Sequence, residues 1–232
     1  MSDYQLLVFD WDGTLCDSIG IIVEAVHSAA DRCAMPRRSD EQVKGIIGLE
    51  LSAAIRALYP ELDQASQVDF FRRCYSEAYV DMDQVVSPLF AGVRESLEVF
   101  RAQGYRLAVA TGKTRRGLDR VLRQHGMQDF FDVTRSAGEA ASKPDPQMLN
   151  EILVHCGVPA RQSLMVGDST FDLLMAQNAG VDCVAVSYGA QAVSVLRDCS
   201  PRLVVDRFEQ LRDWLDQGAH QVAVAGAGHY VG

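Results

Sequence analysis

Leu6-Leu7-Val8-Phe9-Asp10-Trp11-Asp12-Gly13-Thr14 is the stretch on which the fold turns. Four consecutive apolar residues read as a short strand buried on both faces, and two carboxylates stand at its exit. In extended chain, side chains two apart point the same way, so Asp10 and Asp12 converge while Trp11 faces away, into either a cavity wall or the core. Gly13 permits a sharp turn. Asp-Gly also favours a β-hairpin, but a hairpin needs a returning strand. Instead Ile19, Ile22, Val23 and Val26 recur at helical spacing, with Asp17 or Ser18 placed to cap a helix. Strand, turn and helix thus meet at paired acids. Such a pair offers one anionic oxygen to attack or to bind a metal, and a second group to move a proton.

Working outward, helical patterns continue from about residue 19 to residue 82, divided by Pro36, by Gly45 to Gly48 and by Pro60 into four helices. After Ser87-Pro88 the pattern becomes an alternation. A helix around Val93, Leu97 and Phe100 precedes a strand at Arg106 to Ala110, and a helix then carries Leu118, Val121 and Leu122. Strands near Phe131 to Thr134, Leu164 to Val166, Val181 to Val186 and Leu203 to Val205 follow. Helices are expected through Met148 and Ile152, from Thr170 to Asn178, and up to Trp214-Leu215. The alternation predicts an α/β fold, a doubly wound parallel sheet with helices on both faces, interrupted by a small helical insertion. The expected division is residues 1–16 and 84–216 for the α/β core, 17–83 for the insertion, and a Gly- and Ala-rich tail at 217–232 that is either padding or an added edge strand.

Ligands of such sheets bind beyond the carboxyl ends of the strands, so the loops there carry the chemistry. Thr111-Gly112-Lys113 offers a hydroxyl, an open backbone amide and a nearby helix start, a plausible anion cradle or an ordinary connection. Gly-Lys-Thr is no Walker A loop, because the glycine required five residues earlier is Leu107. In Ser142-Lys143-Pro144-Asp145-Pro146, a cap at Asp145 and a helix start at Pro146 explain everything except the lysine. Gly167-Asp168-Ser169-Thr170-Phe171-Asp172 has capping-box spacing between Ser169 and Asp172, which leaves Asp168 over. Asp10 and Asp168 at one crevice invite a hard divalent cation, Mg²⁺ rather than a softer metal.

The whole-chain numbers set bounds. In 232 residues there is room for a large core, and a formal charge of −9 argues against a nucleic-acid footprint. No run of about 18 apolar residues exists and the chain enters its first strand without a leader, so a cytoplasmic protein away from the membrane is expected. The cysteines at 16, 33, 74, 156, 183 and 199 have no metal-binding spacing and read as reduced thiols. The histidines are scattered, which leaves zinc without support. Oligomeric state is not legible.

Taken in order, D-x-D-G-T, a strand ending in T-G-K, a K-P and G-D-x-x-x-D resemble the four motifs of the haloacid dehalogenase (HAD) superfamily. The helical insertion resembles the cap of its phosphoglycolate phosphatase-like branch, as do Ala176, Ala179 and Gly180. Dehalogenases lack the second acid present here as Asp12. The β-phosphoglucomutase-like members usually lack a lysine at the position of Lys113, which tilts the reading toward a phosphatase. The resemblance implies an Mg²⁺-dependent phosphomonoester hydrolase with Asp10 as nucleophile, Asp12 as acid and base, and Thr111, Gly112 and Lys143 on the phosphoryl group. The metal would rest on Asp10, Asp168 and the backbone carbonyl of Asp12, with Asp172 orienting that shell. Lys113 and Arg56, the latter following Gly48-Leu49-Glu50-Leu51, are candidates for contact with a small anionic phosphometabolite, 2-phosphoglycolate first. A mutase, or a phosphatase for pyrophosphate, sugar phosphate or nucleotide, is the alternative. A phospho-accepting receiver domain fits less well, since its acceptor aspartate follows a later strand, and a silent binding module on the same fold is the remaining rival.

Overall fold

The computed structural model describes residues 4–82 and 86–226, with side chains described as far as residue 217. Strand β1 (Leu6–Phe9) is completely buried and lies at the centre of a six-stranded parallel sheet. Its partners are β2 (Arg106–Thr114) on one side and β4 (Ser163–Gly167) on the other, with Val8 opposite Ala108 and Met165. With β3 (Val133–Ala137), β5 (Asp182–Val186) and β6 (Leu203–Val205), the order is β3-β2-β1-β4-β5-β6. Chain order runs outward from β1 in both directions, so the sheet has a crevice where the winding reverses.

Period-two alternation divides each central strand between two cores. Leu7, Phe9, Leu107, Val109, Leu164 and Val166 share one core with helices α5 (Val93–Ala102), α6 (Arg115–Gln124) and α10 (Glu209–Gly226). Leu6, Val8, Ala108, Ala110 and Met165 share the other with α7 (Gln147–Cys156), α8 (Thr170–Asn178) and α9 (Val193–Asp198). Trp11 belongs to the first core, completely buried with its ring centroid 5.8 Å from that of His125, and is no part of the cavity wall.

The insertion forms a third core of its own. Helices α1 (Ile19–Arg32), α2 (Asp40–Lys44), α3 (Leu51–Leu58) and α4 (Ala65–Met82) bury Ile22, Val26, Ile55, Tyr59 and Phe71 together. Its seat on the sheet includes close backbone contacts. Gly48 has φ +106°, and the Leu49 carbonyl oxygen lies only 2.5 Å from where a side-chain carbon on Gly112 would stand. The Glu50 amide donates to Ser142 Oγ at 2.9 Å.

Several boundaries differ from expectation. β2 runs on through Thr111-Gly112-Lys113 to Thr114, because β3 continues to pair beside it across an irregularity. α7 begins at Gln147, with Pro146 in the cap position and Asp145 Oδ1 accepting from the Gln147 amide. The last helix does not stop at Leu215 but continues to Gly226, since residues 217–225 are rich in alanine and glutamine and contain no proline. An edge strand is thereby excluded for residues 217–226, and the rest of the tail, 227–232, lies outside the described residues. The α9 helix was not anticipated. No helix among the described residues is long and apolar enough to cross a membrane.

Candidate active site

Asp10 is the first residue beyond β1, its amide donating to the Val166 carbonyl of β4 at 3.0 Å. Asp168 is the first residue beyond β4, so the sheet itself brings the two carboxylates side by side. Gly13, at φ +81°, makes the turn possible, and a side-chain carbon there would collide with the Asp168 carboxylate. Asp168 is held on both oxygens: Thr14 Oγ1 donates to Oδ1 at 3.0 Å, and the Ala190 amide donates to Oδ2 at 2.7 Å.

Lys143, wholly buried, reaches into this group from the loop between β3 and α7. Its Nζ donates to Asp10 Oδ1 at 2.8 Å and to Asp172 Oδ1 at 2.6 Å. The other oxygen of Asp172 accepts from the Ser169 amide and hydroxyl at 3.2 and 2.7 Å, so the residue that opens α8 also aims the lysine. Carboxylate oxygens of Asp10, Asp168 and Asp172 lie within 4.8 Å of one another. Burial, partly offset by Lys143, pushes the Asp10 carboxyl up to about 7. Burial and the charges of Asp10 and Asp172 hold Asp168 well above the usual carboxylate range. Burial works against the Lys143 charge, but Asp10 and Asp172 outweigh it and its pKa rises. Three carboxylates thus face one ammonium. An all-oxygen donor set short of positive charge fits a hard divalent cation.

Asp12 takes a different path. Its side chain leaves the acid cluster and is gripped by Ser18 Oγ, donating to Oδ1 at 2.6 Å, and by Lys113 Nζ, 2.9 Å from Oδ2. Ser18 stands at the cap position of α1, yet its hydroxyl makes no cap bond and serves Asp12 instead. Lys113 bridges to the insertion, 3.2 Å from Tyr79 Oη of α4. Burial disfavours the Lys113 ammonium most, but the Asp12 carboxylate together with Tyr79 and Tyr75 outweighs it and its pKa is raised. Thr111, buried, accepts from the Lys113 amide at 3.2 Å.

Asp10, Asp12, Thr111, Gly112 and Lys113 all border one cavity of about 760 Å³ roofed by the insertion. Arg56 does not border it; the residue is exposed on α3, facing away, because the buried face of that helix is Ala54, Ile55 and Leu58. The cations that do border it are Lys113, Arg116 and Arg120, spaced three and four apart along β2 and α6. The four-residue spacing of Arg116 and Arg120 on α6 was available in the sequence as one basic face. Tyr75 and Tyr79, four apart on α4, were available in the same way.

Comparison with known proteins agrees with this geometry. The family model for haloacid dehalogenase-like hydrolases matches residues 7–186. The phosphoglycolate phosphatase of Aliivibrio fischeri is 34% identical over 90% of this chain and 95% of its own length. Probable phosphatase IndB of Dickeya dadantii is 32% identical over 89% of this chain and 91% of its own length. A solved structure of a predicted phosphoglycolate phosphatase from Haemophilus somnus 129pt superposes with a TM-score of 0.82 at 26% identity, covering 92% of this chain and 98% of that one. The chain belongs to the haloacid dehalogenase-like hydrolase family. Within it, the protein is an enzyme, a phosphatase of the phosphoglycolate phosphatase-like branch.

Proposed function

We propose that the enzyme hydrolyses a small anionic phosphomonoester through an aspartyl-phosphate on Asp10. The observation that carries this reading is the separation of two acids on one cavity, Asp10 beside Lys143 and Asp12 beside Lys113. A carboxylate oxygen of Asp10 attacks phosphorus, the ester P–O bond breaks, and the departing alkoxide takes a proton from Asp12. Water then attacks the aspartyl-phosphate, giving its proton to Asp12 while the bond to Asp10 breaks and inorganic phosphate leaves. Lys143 neutralises charge on the transferring group, and Thr111 with the Gly112 amide holds a phosphoryl oxygen. Mg²⁺ would be held by Asp10, Asp168 and the Asp12 backbone carbonyl, with Asp172 orienting that shell, and when bound it supplies the positive charge that lets a carboxylate meet a phosphate. The insertion shields the site from water.

Among candidate substrates, 2-phosphoglycolate comes first to assay because several relatives carry its name. Mass spectrometry of enzyme quenched during turnover should find phosphate on Asp10, and Asp10→Asn should abolish both phosphoenzyme and turnover. Phosphate on any other residue would overturn the reading. Chelation should stop hydrolysis of an aryl phosphate and added Mg²⁺ should restore it; full activity in excess chelator would refute the metal assignment.

A further inference from the structure

We infer, resting on the phosphatase reading above, that the alcohol released by this enzyme carries an apolar, ring-sized body. The cavity over Asp10 holds about 760 Å³. Allotted about 30 Å³ for each of its roughly nine non-hydrogen atoms, 2-phosphoglycolate fills only about a third of that space. Most of the remaining wall comes from the insertion and is apolar: Ile22 and Val26 of α1, Ile47 and Leu49 of the loop before α3, Ala54 of α3 and Tyr75 of α4. Against such a wall a carboxylate loses hydration and gains no partner. The bordering cations are already engaged or exposed. Lys113 is paired with Asp12, Arg120 lies with its guanidinium 5.3 Å from the centroid of the Tyr79 ring, and Arg116 is exposed at the mouth, where pairing is weak. Glu77 and Asp81 stand on the same rim and oppose an anion there. An apolar body, in contrast, gains roughly fourfold in binding for each methylene it buries.

The test compares primary alkyl phosphates, whose leaving alkoxides are alike, on the full-length protein with Mg²⁺ present. Ethyl phosphate, 2-phenylethyl phosphate and 2-phosphoglycolate are the probes, with 4-nitrophenyl phosphate as the measure of phosphatase activity itself. The expected kcat/KM for 2-phenylethyl phosphate exceeds that of each of the other two alkyl esters by about tenfold or more. Ala54→Phe, which fills the wall, should shrink that advantage to about threefold or less. The ranking on the unaltered protein decides alone if that variant does not fold. Preference for 2-phosphoglycolate, or three alkyl esters within about threefold of one another, overturns the inference while 4-nitrophenyl phosphate turnover leaves the phosphatase reading standing. No hydrolysis of any of the four refutes that reading, and the inference falls with it.

Discussion

At the floor of the cavity Asp10 and Asp12 are held by charged partners, Lys143 and Lys113, whereas the part of the roof given by α1 and the loop before α3 is a set of apolar residues that pack without direction. Lys143 serves Asp10 and Asp172 at once, Asp172 also fixes the start of α8, and Asp168 is bound on both oxygens. Removing one member of such a group strands the others in a region without water. The roof residues Ile22, Val26 and Ile47 belong to a core that tolerates exchange of one apolar shape for another at modest cost. On the proposed reading, directional charge fixes the reaction and adaptable packing selects the alcohol.

The sharpest way to break this contrast is at Asp12, which belongs to the floor by charge and to the roof by its contact through Lys113 with Tyr79. Asp12→Asn should lower kcat by about 10²- to 10⁴-fold while phosphorylated Asp10 accumulates with an activated aryl ester, read by rapid quench. Loss of the first burst together with steady turnover would mean that Asp12 only shapes the floor. Next in size, Lys143→Ala should cost about 3–5 kcal/mol in urea unfolding measured with chelator present, because it leaves buried carboxylates unpaired. A cost near zero would show that the floor is not knit by charge.

On the roof side, Arg56→Ala should change kcat/KM by about twofold or less on 2-phosphoglycolate and on an aryl phosphate alike, as an exposed residue outside the cavity should. A selective loss on the carboxylated ester would return Arg56 to the role the sequence suggested. The smallest effect belongs to a network away from both regions. Hydrogen bonds from Arg115 and Ser136 hold the Glu139 carboxyl down at about 2, below its ordinary 4.5. A depressed carboxyl stabilises the fold above its unfolded pKa and loses that contribution as pH falls. The urea-unfolding difference between the native protein and Glu139→Gln should therefore be small, about 1 kcal/mol or less at neutral pH. It should vanish as pH drops from 4.5 toward 2; a gap that widens in acid would reverse the sign.

The same contrast governs what the sequence reveals. Asp10 and Asp168 stood out because strand ends punctuated by Gly leave few places for a carboxylate to point, whereas Lys143 was singled out only by the resemblance of the K-P motif. The sheet was legible because β1 and β4 are short apolar runs between helical patterns. Asp12 was legible as a residue but not in its partners, since nothing local says that Ser18 would give up a helix cap to hold it. The place of Arg56 outside the cavity was not legible because a helix position reveals periodicity but not which face meets the cavity. Arg116 and Arg120 were visible as a stripe, but the depth at which α4 crosses it is set by packing between distant segments. The extension of α10 to Gly226 was not legible, since a Gly- and Ala-rich tail with Val222 and Val224 shows no clear helical period.

The seam between insertion and sheet, where the carbonyls of Gly48 and Leu49 lie against Gly112, has an evolutionary consequence. A joint that leans on close main-chain contacts carries less lock-and-key code in side chains, so mutations elsewhere in the roof can drift with less effect on the fit of the two parts. At position 112 any residue larger than glycine would act as a wedge between the two parts. On the proposed reading, substitutions in the roof would retune the enzyme for a new metabolite one at a time, on a seat that stays in place.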